Sequence, residues 1–384
     1  MIGIDLVKEM KSPSPFVDLF AGCGGLSLGL EQAGFEPCFM NEIVPTYAGT
    51  YIHNHDLPAE RCFIGDIHDL VKRFDEFKKY FKGAKLVCGG PPCQGFSMAN
   101  RQRVIDDPRN HLYKAYVEFL SKVRPAFFIM ENVKGMLSRV EDISADFKKY
   151  LGKDYRFAFK VFNASRFGVP QNRLRLICIG NRLGINPATI FADIENGKYP
   201  QFILKDALDG LPKLEARQIK NKGDLEEMAS GLTVRPFDYP RTAFFRFING
   251  RRIPKVLYNH KNRYNNSRDI EIFRRLPQGA NSLHPSIADI MPYGRRNDIF
   301  KDKYFKLEED KVCKTITSHM RFDCNMYIHP WEARGLSPRE AARIQTFPDY
   351  YVLTGPQNSW YAQVGNAVPV KMAKAIGEAI RKWL

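Results

Sequence analysis

The sequence predicts an α/β protein, with a doubly wound, mostly parallel sheet joined to a second, smaller domain of irregular architecture. Three observations carry that expectation. From Pro15 to Gly180, short apolar runs alternate with helix-like stretches. That rhythm stops after Gly180, and helical periodicity returns near the C-terminus. A chain of 384 residues is long enough for one large domain or two unequal lobes, and the change of pattern favours two.

The strand candidates are FVDLF (16–20), EPCFMN (36–41), KLVCGG (85–90), AFFIMEN (126–132), FAFKVFNA (157–164) and LRLICIG (174–180). Each is a short apolar run of the kind a sheet buried on both faces requires. LSLGLEQAG (26–34) and HLYKAYVEFLSKV (111–123) supply helices between them. In such a sheet, ligands bind at the carboxyl ends of the strands. Residues 181–330 are rich in Asn, Arg, Pro and Gly with scattered aromatics, and they read as the irregular domain. SPREAARIQTF then opens on a capping box, Ser337 to Glu340, and reads as a helix. VPVKMAKAIGEAIRKWL, with Pro369 near its start, reads as another.

Lys and Arg outnumber Asp and Glu by 58 to 42, a net charge of +16, which points to a polyanionic partner. Residues 241–275 hold ten cations against Asp269 and Glu271, although a solvated face would look the same. The eight cysteines form no C-x-x-C pair and no Cys/His cluster at zinc spacing. Neither a metal site nor a disulfide framework is expected, and a reducing compartment fits. The N-terminal MIGIDLVKEMKSPSP has no apolar core, and no apolar run approaches the ~20 residues of a membrane span. A soluble, cytoplasmic protein without membrane association is expected.

Several residues carry chemistry. FAGCGGLSLGL follows the first strand directly, and its glycines Gly22, Gly24 and Gly25 permit a tight turn and close approach to a ligand. Glu42, about 20 residues on, stands where an acid can hold ribose hydroxyls, and Asp66 ends the next unit. The turn contains no Lys or Arg, which favours a nucleoside with a small zwitterionic tail over a pyrophosphate. S-adenosylmethionine has that shape. Glycines that serve only packing, with both acids as solvated caps, would read the same way.

Cys93, in GGPPCQGFS, follows the third strand candidate in a loop that two prolines stiffen. An ordinary thiol of pKa ~8.5 is only a few per cent thiolate at neutral pH, so a nucleophilic role requires help. Glu131 ends the apolar run AFFIM, and a carboxylate there needs a partner or a task. In QNRLR, the alternating Gln171, Arg173 and Arg175 share one face. Together these groups suit one reaction: a thiolate adds to carbon 6 of cytosine, an acid engages N3, an arginine neutralises charge near O2, and carbon 5 becomes nucleophilic.

On these motifs, the chain resembles the cytosine-C5 DNA methyltransferases of the restriction-modification type, in order and over nearly its whole length. The resemblance implies S-adenosylmethionine as cofactor and duplex DNA as partner. FAGCGG resembles the cofactor turn, with Phe20 against the adenine and Gly22 and Gly24 in the loop. Glu42 matches the ribose acid, Ile43 the apolar residue beside the base, and Asp66 with Ile67 the adenine contact. Pro91, Leu112, Asn366 and Val368 complete the implied cofactor set. Cys93 matches the attacking thiol, Glu131 the group at N3, and Arg173 and Arg175 the partners of the loop and the cytosine. Residues 94 to about 109 are expected to close over a flipped base.

The implied organisation is a catalytic domain (1–184), a target recognition domain (185–320) and a supporting segment that returns to the first (321–384). The enzyme is expected to act as a monomer, with a cognate restriction endonuclease in the same system. A related enzyme acting on tRNA would share the catalytic residues, but the Cys-Phe-Thr segment usual in that branch is absent. An inactive DNA-binding regulator on the same fold is disfavoured by the intact Cys93, Glu131 and Arg175. A nicotinamide oxidoreductase would account for the glycine turn alone.

Overall fold

In a computed structural model describing residues 12–92, 112–218, 234–239, 241–292 and 303–384, seven strands form one sheet. They are β1 (Ser14–Leu19), β2 (Phe35–Glu42), β3 (Cys62–Ile64), β4 (Leu86–Gly89), β5 (Phe127–Val133), β6 (Arg156–Asn163) and β7 (Leu174–Asn181). Their order is β3-β2-β1-β4-β5-β7-β6. The pairs β1–β2, β2–β3, β1–β4 and β4–β5 are parallel, whereas β7 runs antiparallel to both β5 and β6. The chain leaves β1 towards one edge and β4 towards the other, so a crevice opens beyond the carboxyl ends of these two central strands.

All six expected strands occur. The short β3 carried too few residues to be read from periodicity. The reversal of β7 has a simple cause: residues 164–173 contain only a 3-10 turn, Ala164–Phe167, and a parallel return needs a crossover of a dozen or more residues.

The helices are α1 (Gly25–Gln32), α2 (Pro45–Asn54), α3 (Ile67–Lys72), α4 (Phe74–Phe81), α5 (Leu112–Val123), α6 (Val140–Leu151), α7 (Pro187–Glu195), α8 (Leu204–Leu208), α9 (Ala243–Asn249), α10 (Ser267–Arg275), α11 (Pro338–Ile344), α12 (Gln357–Asn366) and α13 (Val370–Arg381). A two-stranded sheet pairs β8 (Val234–Pro236) with β9 (Val256–Tyr258).

Strand alternation sorts side chains onto two cores. Phe16, Leu86, Phe127, Ile129 and Ile177 pack with residues of α1, α7 and α13 on one face. Val17, Val87, Phe128, Met130 and Cys178 pack with residues of α3, α5 and α6 on the other. Helices α1 and α13 approach so closely that a Cβ on Gly29 would stand 2.4 Å from Ala373 Cβ and 2.5 Å from the Val370 carbonyl.

A third core joins Cys23 and Leu28, beside the glycine turn, to Leu204, Phe244, Ile316, Met320, Ile344, Tyr351 and Trp360. At its centre, every residue of α11 is buried. The expected capping box is present, with Glu340 N–H donating to Ser337 Oγ at 3.2 Å and Ser337 N–H to Glu340 Oε2 at 2.7 Å. Arg334 clasps Glu340 at 2.7 and 2.8 Å, and Arg343 clasps Asp349 at 2.7 and 3.0 Å. Burial works against the ionised Glu340, but Arg334 and His329 hold its carboxyl well below the usual range. Such pairs give little net stability over an apolar core, but removing one partner costs roughly 3–5 kcal/mol.

Two glycine substitutions should separate close packing from helix propensity. Gly29→Ala should destabilise by about 1–3 kcal/mol through collision with α13. Gly49→Ala, in α2 with its nearest neighbour at 3.5 Å, should instead stabilise by up to ~1 kcal/mol. Urea denaturation midpoints moving in opposite directions would be the expected readout.

Candidate active site

The chain turns from β1 into α1 through three left-handed residues: Phe20 (φ +56°), Gly22 (φ +58°) and Gly24 (φ +86°). For an aromatic residue that conformation is strained, and it persists because the strand before it and the helix after it are both fixed. A Cβ on Gly22 would meet nothing within 4 Å, so the turn faces open space there. Gly24 is different. A Cβ there would stand 2.2 Å from His55 Nε2 and 2.7 Å from Tyr351 Oη, so its bare backbone accommodates the protein itself.

Glu42 ends β2, and its carboxylate accepts from Gly22 N–H at Oε2 and from Val44 N–H at Oε1, both at 2.8 Å. Burial raises its pKa above the ordinary range, and these N–H groups oppose the rise. Beside it, Ile43 is 58% exposed, as is 47% of Ile64 at the end of β3, an uncovered apolar step at the sheet edge. Asp66 caps α3 through the His68 N–H and ring, both on Oδ1 at 2.8 and 2.7 Å. Slight burial raises its pKa, but those bonds prevail and hold it below the usual value. Ile67 is packed into the core, whereas Leu112 at the start of α5 is half-buried.

The late segment reaches the same turn. Asn366 is exposed at the end of α12, Val368 is buried, and a Cβ on Gly25 would lie 2.5 Å from the Val368 carbonyl.

At the ends of β5 and β7, Arg175 Nε pairs with Glu131 Oε1 at 2.9 Å, and each side chain is only 12% exposed. The antiparallel register of the two strands makes this pair possible, because it sets Val133 opposite Arg175 and Glu131 opposite Ile177. Burial lowers the Arg175 pKa, and Glu131 opposes that fall. Asn132 Nδ2 donates to the Pro91 carbonyl at 2.8 Å and so ties the segment before Cys93 to β5. Cys93 itself, and the loop expected to close from Gln94 to Arg109, lie outside the described residues.

Gln171, Arg173 and Arg175 share a buried face, as their alternation predicts, but reach different partners. Gln171 Nε2 donates to Gln345 Oε1 at 3.0 Å. Arg173 donates to the carbonyls of Ile316, Gly365 and Ala367 at 2.6, 3.1 and 2.9 Å. Its Nε has no acceptor among the described residues. Burial first, then Arg175, lowers its pKa well below the ordinary guanidinium value.

The basic stretch is partly engaged in the fold: Arg263 donates to the carbonyls of Met320 and Arg321, and Arg275 pairs with Glu271 and Asp289. Arg241, Arg246, Arg251, Lys255 and Arg268 are exposed.

Sequence reasoning missed the polar chain beneath the glycine turn. Asp18, buried on β1, accepts from Ser27 Oγ at 2.6 Å, and Ser27 Oγ lies 2.9 Å from Tyr51 Oη. The signal that was available is an acid inside the apolar run FVDLF, where a charge needs a partner.

The family model described as C-5 cytosine-specific DNA methylase matches residues 15–382. The chain is 31% identical over 382 residues to the type II methyltransferase M1.HphI of Haemophilus parahaemolyticus, covering 96% of this chain and 86% of that protein. It is likewise 31% identical over 392 residues to the type II methyltransferase M.DdeI of Desulfomicrobium norvegicum, covering 95% and 88%. Its structure is similar to that of a prophage-encoded DNA modification methyltransferase from Escherichia coli, with a TM-score of 0.76, 25% identity and 96% and 99% coverage. The Schizosaccharomyces pombe Dnmt2 methyltransferase shares the fold at a TM-score of 0.56 and 15% identity.

The Asp18 carboxyl is pushed up to about 7 from 3.8, by burial first, with Ser27 and Cys88 opposing and Glu42 and Glu31 adding to the rise. The folded state therefore holds this proton more tightly than the unfolded state. Its contribution is complete below pH ~4 and is lost as pH rises towards ~7. Asp18→Asn should flatten that part of the profile of unfolding free energy against pH, as urea titrations at stepped pH would reveal.

Proposed function

Because the chain belongs to the C-5 cytosine-specific DNA methylase family and is a DNA (cytosine-5) methyltransferase of the type II restriction-modification kind, we propose that it methylates carbon 5 of a cytosine flipped out of a specific duplex site, with S-adenosylmethionine as donor and a covalent bond between Cys93 and carbon 6. One observation carries this reading. The nearly buried Glu131–Arg175 pair stands on the strand whose Asn132 holds Pro91, two residues before Cys93.

The residues at the glycine turn fit S-adenosylmethionine. Exposed Ile43 and Ile64 offer apolar surface to an adenine, Glu42 offers a carboxylate to ribose hydroxyls, and the side of Gly22 is open. Phe20, Gly22, Gly24, Glu42, Ile43, Asp66, Ile67, Pro91, Leu112, Asn366 and Val368 form the proposed cofactor site. In this set Ile67 is buried in the core at the start of α3, and the buried Val368 brings its carbonyl against Gly25. When bound, the sulfonium supplies an electrophilic methyl group.

The protein's own groups do the rest. Unstacking a cytosine costs roughly a few kcal/mol, which contacts between exposed arginines and phosphates help to offset. The Cys93 thiolate adds to carbon 6 while Glu131 engages N3 and the amino group, and electron density moves to carbon 5. Arg175 keeps the Glu131 carboxylate oriented and neutralises charge beside it. After methylation, water takes the carbon 5 proton, the carbon–sulfur bond breaks, and Cys93 leaves with its electron pair. Residues 1–184 are the proposed catalytic domain, 185–320 the recognition domain and 321–384 the returning support. The enzyme would work as a cytoplasmic monomer beside a cognate endonuclease.

Cys93→Ser should abolish radiolabelled methyl incorporation into duplex DNA while retaining specific binding. Near-normal turnover would remove the thiol from the mechanism. An oligonucleotide carrying 5-fluorocytosine at the target should trap a conjugate through Cys93. Glu131→Gln should slow single-turnover methyl transfer strongly. Binding should weaken with salt at a log–log slope of about −0.9 for each phosphate neutralised.

A further inference from the structure

His55 sits at the end of α2 with its side chain fully buried, against the inner side of the glycine turn. Its Nδ1 lies 2.8 Å from Glu31 Oε2 on α1, and its Nε2 lies 3.0 Å from Tyr351 Oη, after α11. Tyr51 stacks on the ring at a centroid distance of 4.1 Å. The Tyr351 hydroxyl in turn donates to the carbonyl of Cys23, in the middle of the turn.

A carbonyl only accepts, so the Tyr351 hydroxyl serves as the donor to Cys23, and the same hydroxyl lies against His55 Nε2. The hydroxyl stays intact because burial, together with nearby Cys23, Glu31 and Asp18, pushes the Tyr351 pKa well above its usual value.

The geometry points to His55, held by Glu31 and in contact with the Tyr351 hydroxyl, as a positioning residue that braces the cofactor turn for S-adenosylmethionine. This role rests on the cofactor reading above. The titratable groups around the ring are Glu31 from α1, Tyr51 from α2, Tyr351 from the segment after α11, the Cys23 thiol of the turn, and Asp18, which reaches it through Ser27 and Tyr51. The bare backbone of Gly24 lets the ring and hydroxyl approach. Because Tyr351 belongs to the same core as α11, the shape of the turn depends on docking of the C-terminal support.

Steady-state kinetics and thermal denaturation of the full chain test the assignment. Tyr351→Phe should raise the KM for S-adenosylmethionine about tenfold, with kcat and the KM for DNA near those of the parent. The partly exposed Glu31→Gln should act in the same direction. A lowered melting temperature in the free protein with unchanged KM would make the chain merely structural and overturn the positioning role. Should the parent enzyme show no saturable dependence on S-adenosylmethionine, the cofactor reading fails and the positioning role with it.

Discussion

A single buried guanidinium ties this protein together. Arg173 stands where β7 begins, and its three bonds end on carbonyls of residues 316, 365 and 367, which belong to two segments far away in the chain. Without those bonds the buried carbonyls of Ile316 and Gly365 would lose this donor, at about 1–3 kcal/mol each, and Ala367 would keep only the longer bond from Gln345 Nε2 at 3.4 Å. An arginine is suited to this task because its planar fork carries five donors in fixed directions. A lysine would present a compact charge and could not reach the same set.

The same strand carries the consequence to the chemistry. Gln171 links it to Gln345 beside α11, Arg173 to the late segment, and Arg175 to Glu131. Three side chains at alternate positions thus form a continuous polar ridge from the end of α11 to the carboxylate of the proposed reaction. The reversal of β7 is what brings the ridge to that carboxylate. An antiparallel neighbour brings its entry point beside the end of β5, where a parallel neighbour would have brought its exit.

Polar groups surround α11. Arg334, Arg339 and Arg343 are all buried, and each is answered by carboxylates or carbonyls, so α11 can be enclosed on every side despite its charge. Apolar groups of similar volume here would be about as stabilising, since buried ion pairs gain little net free energy over an apolar core.

Much of the protein was legible in its sequence. Six strands, the capped helix at Ser337 and the α13 stretch follow from local periodicity and capping chemistry, because those signals depend only on neighbours within a few residues. The glycine turn, Glu42 and Glu131 were legible because each is chemically conspicuous in its local setting. The antiparallel course of β7 could be inferred only by asking how many residues connect it to β6.

Other features were decided by tertiary structure alone. Nothing near His55 in sequence announces Glu31 or Tyr351, and nothing near Arg173 announces Ile316 or Ala367, since these partners meet only when the third core closes. The division has a physical reason: the amino-acid order determines which surfaces are apolar and where the backbone can turn. Which buried donor meets which acceptor depends on the three-dimensional closure of segments hundreds of residues apart.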